Sequence, residues 1–319
     1  MGWGDIAPLP GFSSESLVDA ECELGAVVEW LGTGEVSSER GAWTGVDLDA
    51  LSPSVAFGLD TALASLWDAH RADSLEGLAL PAFSVAIPVN GLLVGDRDQI
   101  LRDGRALIEG GCRTLKLKLG MRSLADDVAL TRSVRDELGD RAVIRLDANR
   151  CWSLRDAIDF GEQVGTQGIA YIEEPLADPL ALPAFYNATR IPVALDESLR
   201  ELAPEDLAER EDVGAVILKP TLMGSVARVQ RWAHQAMELQ ALPVISASFE
   251  SGVGILGLAR LASRLPRTDI AVGLDTYRWL RRDVVKPRLR FDNGAVHGGP
   301  GTVRTYEVDE ALLKEIRDV

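Results

Sequence analysis

Two hydrophobic periods divide this chain of 319 residues. Up to about residue 75, apolar side chains recur every three or four positions, the spacing of amphipathic helices. The chain opens in loop-forming residues, from Met1-Gly2-Trp3-Gly4-Asp5 into Pro8-Leu9-Pro10-Gly11-Phe12-Ser13. Ser13 or Ser14 then caps a helix that runs to about Leu31. Ser52-Pro53-Ser54 opens a second helix through Val55, Ala56, Leu59, Leu63 and Leu66 to about His70. From Phe83 onward, short apolar runs alternate with amphipathic stretches. The runs predict strands at 84–89, 114–119, 143–149, 169–175, 193–198, 215–220, 244–249 and 270–275. The stretches between predict helices at 96–108, 124–138, 153–164, 180–188, 204–209, 225–239 and 252–261. After Asp275 the period stops. Residues 288–291 and 295–297, joined by Asp292-Asn293-Gly294, read as a hairpin, and 310–318 as a last short helix.

Strand–helix alternation with eight strands predicts an α/β fold, a (β/α)8 barrel of modified TIM type. An open doubly wound sheet is the runner-up, but no Gly-rich phosphate loop follows the early strands. The expected division is 1–80 as the N-terminal part of a smaller α+β capping domain, 81–284 as the barrel, and 285–319 as a tail packing back on the cap.

The chain is organised around Thr114-Leu115-Lys116-Leu117-Lys118-Leu119-Gly120. Leu115, Leu117 and Leu119 share one face of a strand, and Lys116 and Lys118 the other. Alone, this is an amphipathic strand with leucines in the core and lysines in water. Four more strands, however, end in single charged residues, Asp147, Glu173, Asp196 and Lys219, at spacings of 29, 26, 23 and 23 from Lys118 onward. Each spacing fits one strand plus one helix. A parallel barrel gathers the C-terminal ends of its strands at one mouth, so these groups converge there.

Charge and cysteine content narrow the context. A formal net charge of −16 argues against a nucleic-acid partner, which requires a basic face. Three widely spaced cysteines, Cys22, Cys112 and Cys151, suggest a reducing compartment without a disulfide framework. No signal segment or membrane-length apolar run is evident, so a cytoplasmic protein is expected. The oligomeric state is not readable, and a monomer is compatible with the sequence.

Asp147, Glu173 and Asp196 offer three hard oxygen ligands on successive strand ends, a set that suits Mg²⁺. Each acid taken alone could equally cap the helix that follows it. Together they would repel strongly unless a cation held them. Lys118 and Lys219 face each other across that position, and a lysine beside a second cation, here Lys116, can act as a general base. Lys219 could also be the wet end of an apolar strand.

The order Lys-x-Lys, Asp, Glu, Asp, Lys resembles the muconate-cycloisomerase subgroup of the enolase superfamily. Further stretches resemble its o-succinylbenzoate synthases: residues 2–13, Pro-Ser-Val-Ala-Phe-Gly (53–58), Arg-Leu-Asp-Ala-Asn-Arg (145–150), Glu-Glu-Pro (173–175), Asp-Glu-Ser-Leu-Arg (196–200), 218–225, Ser-Ala-Ser-Phe-Glu-Ser (246–251) and Gly-Leu-Asp-Thr (273–276). The resemblance implies that Asp147, Glu173 and Asp196 bind Mg²⁺, with Mn²⁺ as substitute. It implies that Lys118 is the base and later the acid, that Lys219 stabilises the enediolate, and that Lys116 tunes Lys118. It places Asn149 and Glu197 around the ligands, and Ser246 and Ser248 at the substrate's distal carboxylate; loop or strand-end packing is an equal alternative for these four. The implied reaction is dehydration of a small carboxylate, 2-succinyl-6-hydroxy-2,4-cyclohexadiene-1-carboxylate; N-succinylamino-acid racemisation on the same scaffold is the rival. The family's cap has further strands ahead of Gly2-Trp3-Gly4, so a shortened cap is expected. Dipeptide epimerases of the subgroup carry Asp-x-Asp where this chain has Gly273-Leu274-Asp275-Thr276-Tyr277. A histidine base of the mandelate-racemase type is also lacking, since His70, His234 and His297 fall outside the predicted barrel strands.

Overall fold

Two helices form the N-terminal part. In the computed structural model of the chain, which describes residues 2–33, 46–71, 83–208, 210–298 and 306–314, α1 spans Leu17–Thr33 and α2 spans Pro53–Arg71. Ser16, rather than Ser13 or Ser14, caps α1. The Asp19 N–H donates to Ser16 Oγ (3.2 Å) and the Ser16 N–H donates to Asp19 Oδ2 (2.9 Å), so two backbone donors are satisfied reciprocally. Ser13 Oγ instead accepts from the Leu9 N–H at 2.8 Å. Ala20 and Val27 of α1 and Val55 and Leu59 of α2 form a small buried cluster. Gly4 lies so close to α2 that a Cβ there would sit 1.8 Å from Gly58 O, which only glycine avoids.

Beyond Phe83 the elements are β1 (Ile87–Pro88), β2 (Gly91–Leu93), α3 (Arg97–Glu109), β3 (Thr114–Lys118), α4 (Leu124–Leu138), β4 (Val143–Asp147), α5 (Leu154–Val164), β5 (Ile169–Glu173), α6 (Leu182–Thr189), β6 (Val193–Leu195), β7 (Val213–Leu218), α7 (Pro220–Met223), α8 (Val226–Glu238), β8 (Leu242–Ile245) and α9 (Gly252–Ala262). Strands β2 to β8 pair in parallel, in chain order. Residues 272 and 273 close the ring, Val272 bridging to Val89 and Gly273 to Ser246. The Asn90 N–H donates to Val272 O (2.9 Å) and the Gly273 N–H to Ile245 O (2.8 Å). The fold is thus the expected barrel, with an eighth staves' worth of pairing supplied by single bridges. Asp96, Ser123, Ser153 and Ser225 cap α3, α4, α5 and α8, each side chain accepting an N–H from the first turn. Among the described residues no helix is long and apolar enough to cross a membrane.

Period-two alternation divides the core into two layers. Leu115, Leu117, Ile144, Leu146 and Ile172 face outward and join the large cluster under the helices. Burying each such side chain is worth roughly 1.5–3 kcal/mol. Tyr171, Ala194, Ala215, Ile217, Val244 and Ile270 form a smaller cluster of their own. Lys116 and Lys118 lie on the face opposite the leucines, inside the barrel rather than in bulk water.

Several expected elements shift. The run 84–89 is not the first barrel strand. Pro88 lacks an N–H for a ladder, and Ile87–Pro88 pair antiparallel with β10 (Ala295–Val296) through a two-residue register. The parallel sheet starts at Gly91, where a Cβ would meet Leu107 and Leu115 within 2.6 and 2.8 Å. The turn at Asn293-Gly294 forms, with φ of 54° and 68°, but its second arm pairs with β1 instead of 288–291. The stretch at 180–188 begins as a 3-10 turn, Pro179–Ala181, before α6. The helix expected at 204–209 is only a 3-10 turn, Pro204–Leu207, with Glu209 outside the described residues. The last helix is a 3-10 turn, Glu310–Leu312, and 315–319 lie outside the described residues. Strand β9 (Val285–Lys286) pairs with β11 (Glu307–Val308). Helix α7 had no counterpart in the hydrophobic pattern.

Candidate active site

Five neighbouring strand ends deliver the charged residues marked by the sequence. In register, Lys118 stands beside Asp147 and Asp147 beside Glu173. Asp196 follows β6, and Lys219 follows β7 as the residue before α7. Asp147, Glu173 and Asp196 are all buried. Lys116 Nζ bridges Asp147 Oδ2 and Glu173 Oε2, both at 2.7 Å. Lys118 Nζ lies 2.6 Å from the same Asp147 Oδ2 and donates to Asn149 Oδ1 at 2.8 Å. Lys219 Nζ pairs with Asp196 Oδ2.

Electrostatics follow from this crowding. Burial alone would lower the Lys116 ammonium, but Asp147, Glu173 and Asp196 together lift it well above its ordinary value. Lys219 likewise is raised, because Asp196 and Glu173 outweigh burial. Both lysines therefore remain charged at neutral pH. Burial acts to raise Asp147, yet Lys116 and Lys118 hold it below the usual carboxylate range. Glu173 goes the other way: burial and the neighbouring Asp147 push it well above that range. Gathered in a low dielectric, the carboxylates resist simultaneous ionisation.

Around them, the Asn149 amide donates to Glu197 Oε1 at 3.4 Å. Burial, then Asp196, raises Glu197. Ser246 Oγ donates to Gly273 O at 3.4 Å. Ser248 Oγ is buried without a hydrogen-bond partner among the described residues. Lys116, Lys118, Asn149, Glu197, Lys219, Ser246 and Ser248 all line one cavity of about 470 Å³ at the barrel mouth, which Leu9 and Phe12 of the N-terminal segment also reach. The ten residues singled out in the sequence thus stand at or directly beneath one opening.

Sequence reasoning passed over three groups. Arg145, buried one layer below Asp147, donates to Asn90 Oδ1 (2.9 Å) and Ala271 O (2.7 Å) and lies 5.3 Å from the Tyr171 ring centroid. Its place one alternation before Asp147 was the available signal. Glu250, buried in the turn before α9, accepts from Thr221 Oγ1 and the Ser248 N–H, both at 2.6 Å. Glu174, next to Glu173, is fully buried.

A divalent metal fits the donor chemistry, three buried carboxylate oxygens from adjacent strand ends. The lysine ammonium groups engage those carboxylates, and among the described residues no three ligand groups converge into a closed metal cage. A cation there therefore has to compete with the lysines for the carboxylates.

Comparison with known proteins adds to this. Residues 99–310 match the family described as enolase C-terminal domain-like, and residues 1–66 match the MenC N-terminal domain. The chain is 36% identical over 294 residues to an o-succinylbenzoate synthase of Yersinia pestis (strain Pestoides F), covering 90% of this chain and 81% of that protein. Among solved structures it resembles the muconate lactonizing enzyme of Pseudomonas putida, with a TM-score of 0.78, 22% identity and coverage of 97% and 89% of the two chains. Muconate cycloisomerase of Pseudomonas fluorescens gives a TM-score of 0.76, 19% identity and coverage of 97% and 88%. At those identities the two structures speak for the fold alone.

Proposed function

The chain belongs to the o-succinylbenzoate synthase family of the enolase superfamily, whose members are divalent-metal-dependent enzymes, and from this we infer that it is a dehydratase of menaquinone biosynthesis. Its substrate is 2-succinyl-6-hydroxy-2,4-cyclohexadiene-1-carboxylate and its product o-succinylbenzoate. In this reading residues 81–284 are the catalytic barrel, and residues 1–80 and 285–319 form the cap, as a cytoplasmic enzyme acting on a small carboxylate.

The observation that carries the proposal is the sharing of Asp147 Oδ2 by two lysines, Lys116 at 2.7 Å and Lys118 at 2.6 Å. Two ammonium groups on one oxygen repel. Lys116 is the better held, because it also bridges Glu173 and is the less exposed of the two. Lys118, the more exposed of the two and a lining residue of the cavity, is therefore placed to take the hydrogen α to the substrate carboxylate. Once protonated, Lys118 donates to the departing hydroxyl. The carbon–oxygen bond breaks, water leaves, and the ring becomes aromatic. Lys219, kept charged by Asp196, stabilises the negative charge that develops and faces the ring as a cation–π partner. Asp147, Glu173 and Asp196 would hold the metal, Mg²⁺ with Mn²⁺ as substitute, which supplies positive charge against the reacting carboxylate. Asn149 and Glu197 orient Lys118 and the rim of the pocket, and Ser246 and Ser248 offer hydroxyl donors to the distal carboxylate.

A second reading, racemisation of N-succinylamino acids, is favoured by one observation: Lys118 and Lys219 both reach the same cavity. The test of the main reading is ultraviolet loss of the cyclohexadiene in the presence of the purified protein. Turnover that EDTA removes and Mg²⁺ restores supports it. Absence of turnover, or turnover untouched by EDTA, contradicts it.

A further inference from the structure

Behind the carboxylates that face the mouth lies a second buried acid with a different set of bonds. Glu174 Oε1 accepts the Asp196 N–H at 2.9 Å and the Ser198 N–H at 2.7 Å. Its Oε2 accepts the Ser198 hydroxyl at 2.9 Å and Arg150 Nε at 3.1 Å. Arg150 Nη2 closes the loop by donating to Ser198 Oγ at 2.7 Å. The backbone is stitched in the same place: Arg150 N–H donates to Glu174 O (2.7 Å) and Glu174 N–H to Ala194 O (3.0 Å).

This one carboxylate joins the ends of β4, β5 and β6. Three residues in those turns, Asn149, Arg150 and Glu174, adopt positive φ of 45°, 59° and 40°. Non-glycine residues rarely adopt such angles and need surrounding bonds to hold them there. Each turn begins within three residues of Asp147, Glu173 or Asp196, so slack in any of them moves a carboxylate at the mouth.

We propose that Glu174 is the positioning residue of this site: through Arg150, Ser198 and the Asp196 backbone it fixes the spacing of Asp147, Glu173 and Asp196 and thereby sets the affinity for a divalent cation. The proposal rests on the reading of those three carboxylates as metal ligands. Glu174 itself touches neither the cavity nor the reacting atoms. Charged hydrogen bonds of this kind hold geometry more tightly than neutral ones, and outer partners of metal ligands typically govern affinity by 10–100-fold.

The experiment titrates the purified protein with Mn²⁺ and follows free ion by electron paramagnetic resonance, without substrate. Circular dichroism confirms folding at the assay temperature. Glu174→Gln keeps size but turns an N–H toward Arg150 Nε, so Mn²⁺ affinity should fall roughly 10–100-fold. Pairing it with Arg150→Met removes the opposed donors and lets the amide serve Ser198 and both backbone N–H groups. That double variant should recover a substantial part of the loss, which simple loss of stability would not do. Where Glu174→Gln fails to fold, Ser198→Ala gives the same readout, with a several-fold loss expected. Wild-type affinity in Glu174→Gln or Ser198→Ala, with Asp196→Asn deficient, overturns the role of Glu174 and leaves the metal reading standing. Wild-type affinity in Asp196→Asn and Glu173→Gln overturns both. No recovery in the double variant also counts against the positioning role.

Discussion

Two groups of carboxylates, buried or half-buried, share this barrel and are satisfied in opposite ways. Asp147, Glu173 and Asp196 at the mouth meet the ammonium groups of Lys116, Lys118 and Lys219. Asp5, Glu250 and Asp283, clustered at the start of α9, meet hydroxyls and backbone amides. Asp5 Oδ2 accepts the Ser251 N–H and hydroxyl, both at 2.8 Å. Glu250 is held by Thr221 and Ser248, and Asp283 by the Gly252 N–H at 2.9 Å and the Tyr277 hydroxyl. Neutral donors only partly offset burial, so burial raises Asp5 and carries Glu250 up to about 7. The contrast separates two uses of the same side chain. In the proposed function, carboxylates with cationic side-chain partners exchange those partners for a metal. Carboxylates with fixed neutral donors staple the N-terminal segment to the turn that carries Ser246 and Ser248.

The largest effect falls on the first group. Lys118→Ala should lose dehydration by at least the roughly 10²–10⁴-fold typical of general acid–base groups, because in the proposed function one lysine handles both proton transfers. The measurement is kcat for cyclohexadiene loss, and near-wild-type turnover would remove Lys118 from its role. Next, Asp196→Asn should abolish metal-dependent activity while leaving the far-ultraviolet dichroism unchanged. Full activity in that variant would sink the ligand assignment.

The second group should answer to pH instead. Glu250 lies at about 7 against an ordinary 4.5, so the folded chain binds its proton more tightly than the unfolded chain. That contribution to stability is full below about pH 4.5 and is lost as pH rises through about 7. At about 1.4 kcal/mol per pH unit the loss is at most about 3 kcal/mol. Urea midpoints between pH 5 and 8 should therefore fall less steeply in Glu250→Gln than in the parent. Parallel curves would show that Glu250 does not titrate in this window. The smallest effect is expected at Ser248, a lining residue of the cavity whose buried hydroxyl has no hydrogen-bond partner among the described residues. Ser248→Ala should raise KM several-fold at unchanged kcat, the worth of about one hydrogen bond. An unchanged KM would take that hydroxyl out of substrate binding.

The difference between the two groups also explains what the sequence made legible. The mouth residues were readable because a parallel barrel repeats: one charged residue per strand end, at intervals of one strand plus one helix, needs no knowledge of distant contacts. Alternation in 114–119 likewise sorted Leu115 and Leu117 from Lys116 and Lys118 before any fold was known. What stayed hidden depends on long-range partners. Asp5 and Ser251 are far apart in sequence, and nothing local announces their bond. The arm after Asn293-Gly294 had a good turn signal but chose Ile87–Pro88, a partner about two hundred residues earlier. Gly91–Leu93 was missed because three residues are too few for a periodic signal. Glu174 was visible as half of a Glu-Glu doublet. Its inward turn depends on a positive φ that no pattern of hydrophobicity encodes.

The central claim is the division of labour between the two lysines, and Lys219→Arg tests it most directly. Arginine keeps the positive charge beside Asp196 but is a poor base at neutral pH. Two rates are measured on the same preparation: ultraviolet loss of the cyclohexadiene, and exchange of the α-hydrogen of an N-succinylamino acid in D₂O by NMR. The account predicts measurable dehydration, reduced by the larger side chain, together with loss of any racemisation the parent shows. Free racemisation by Lys219→Arg, or complete loss of dehydration from a folded protein, would contradict it.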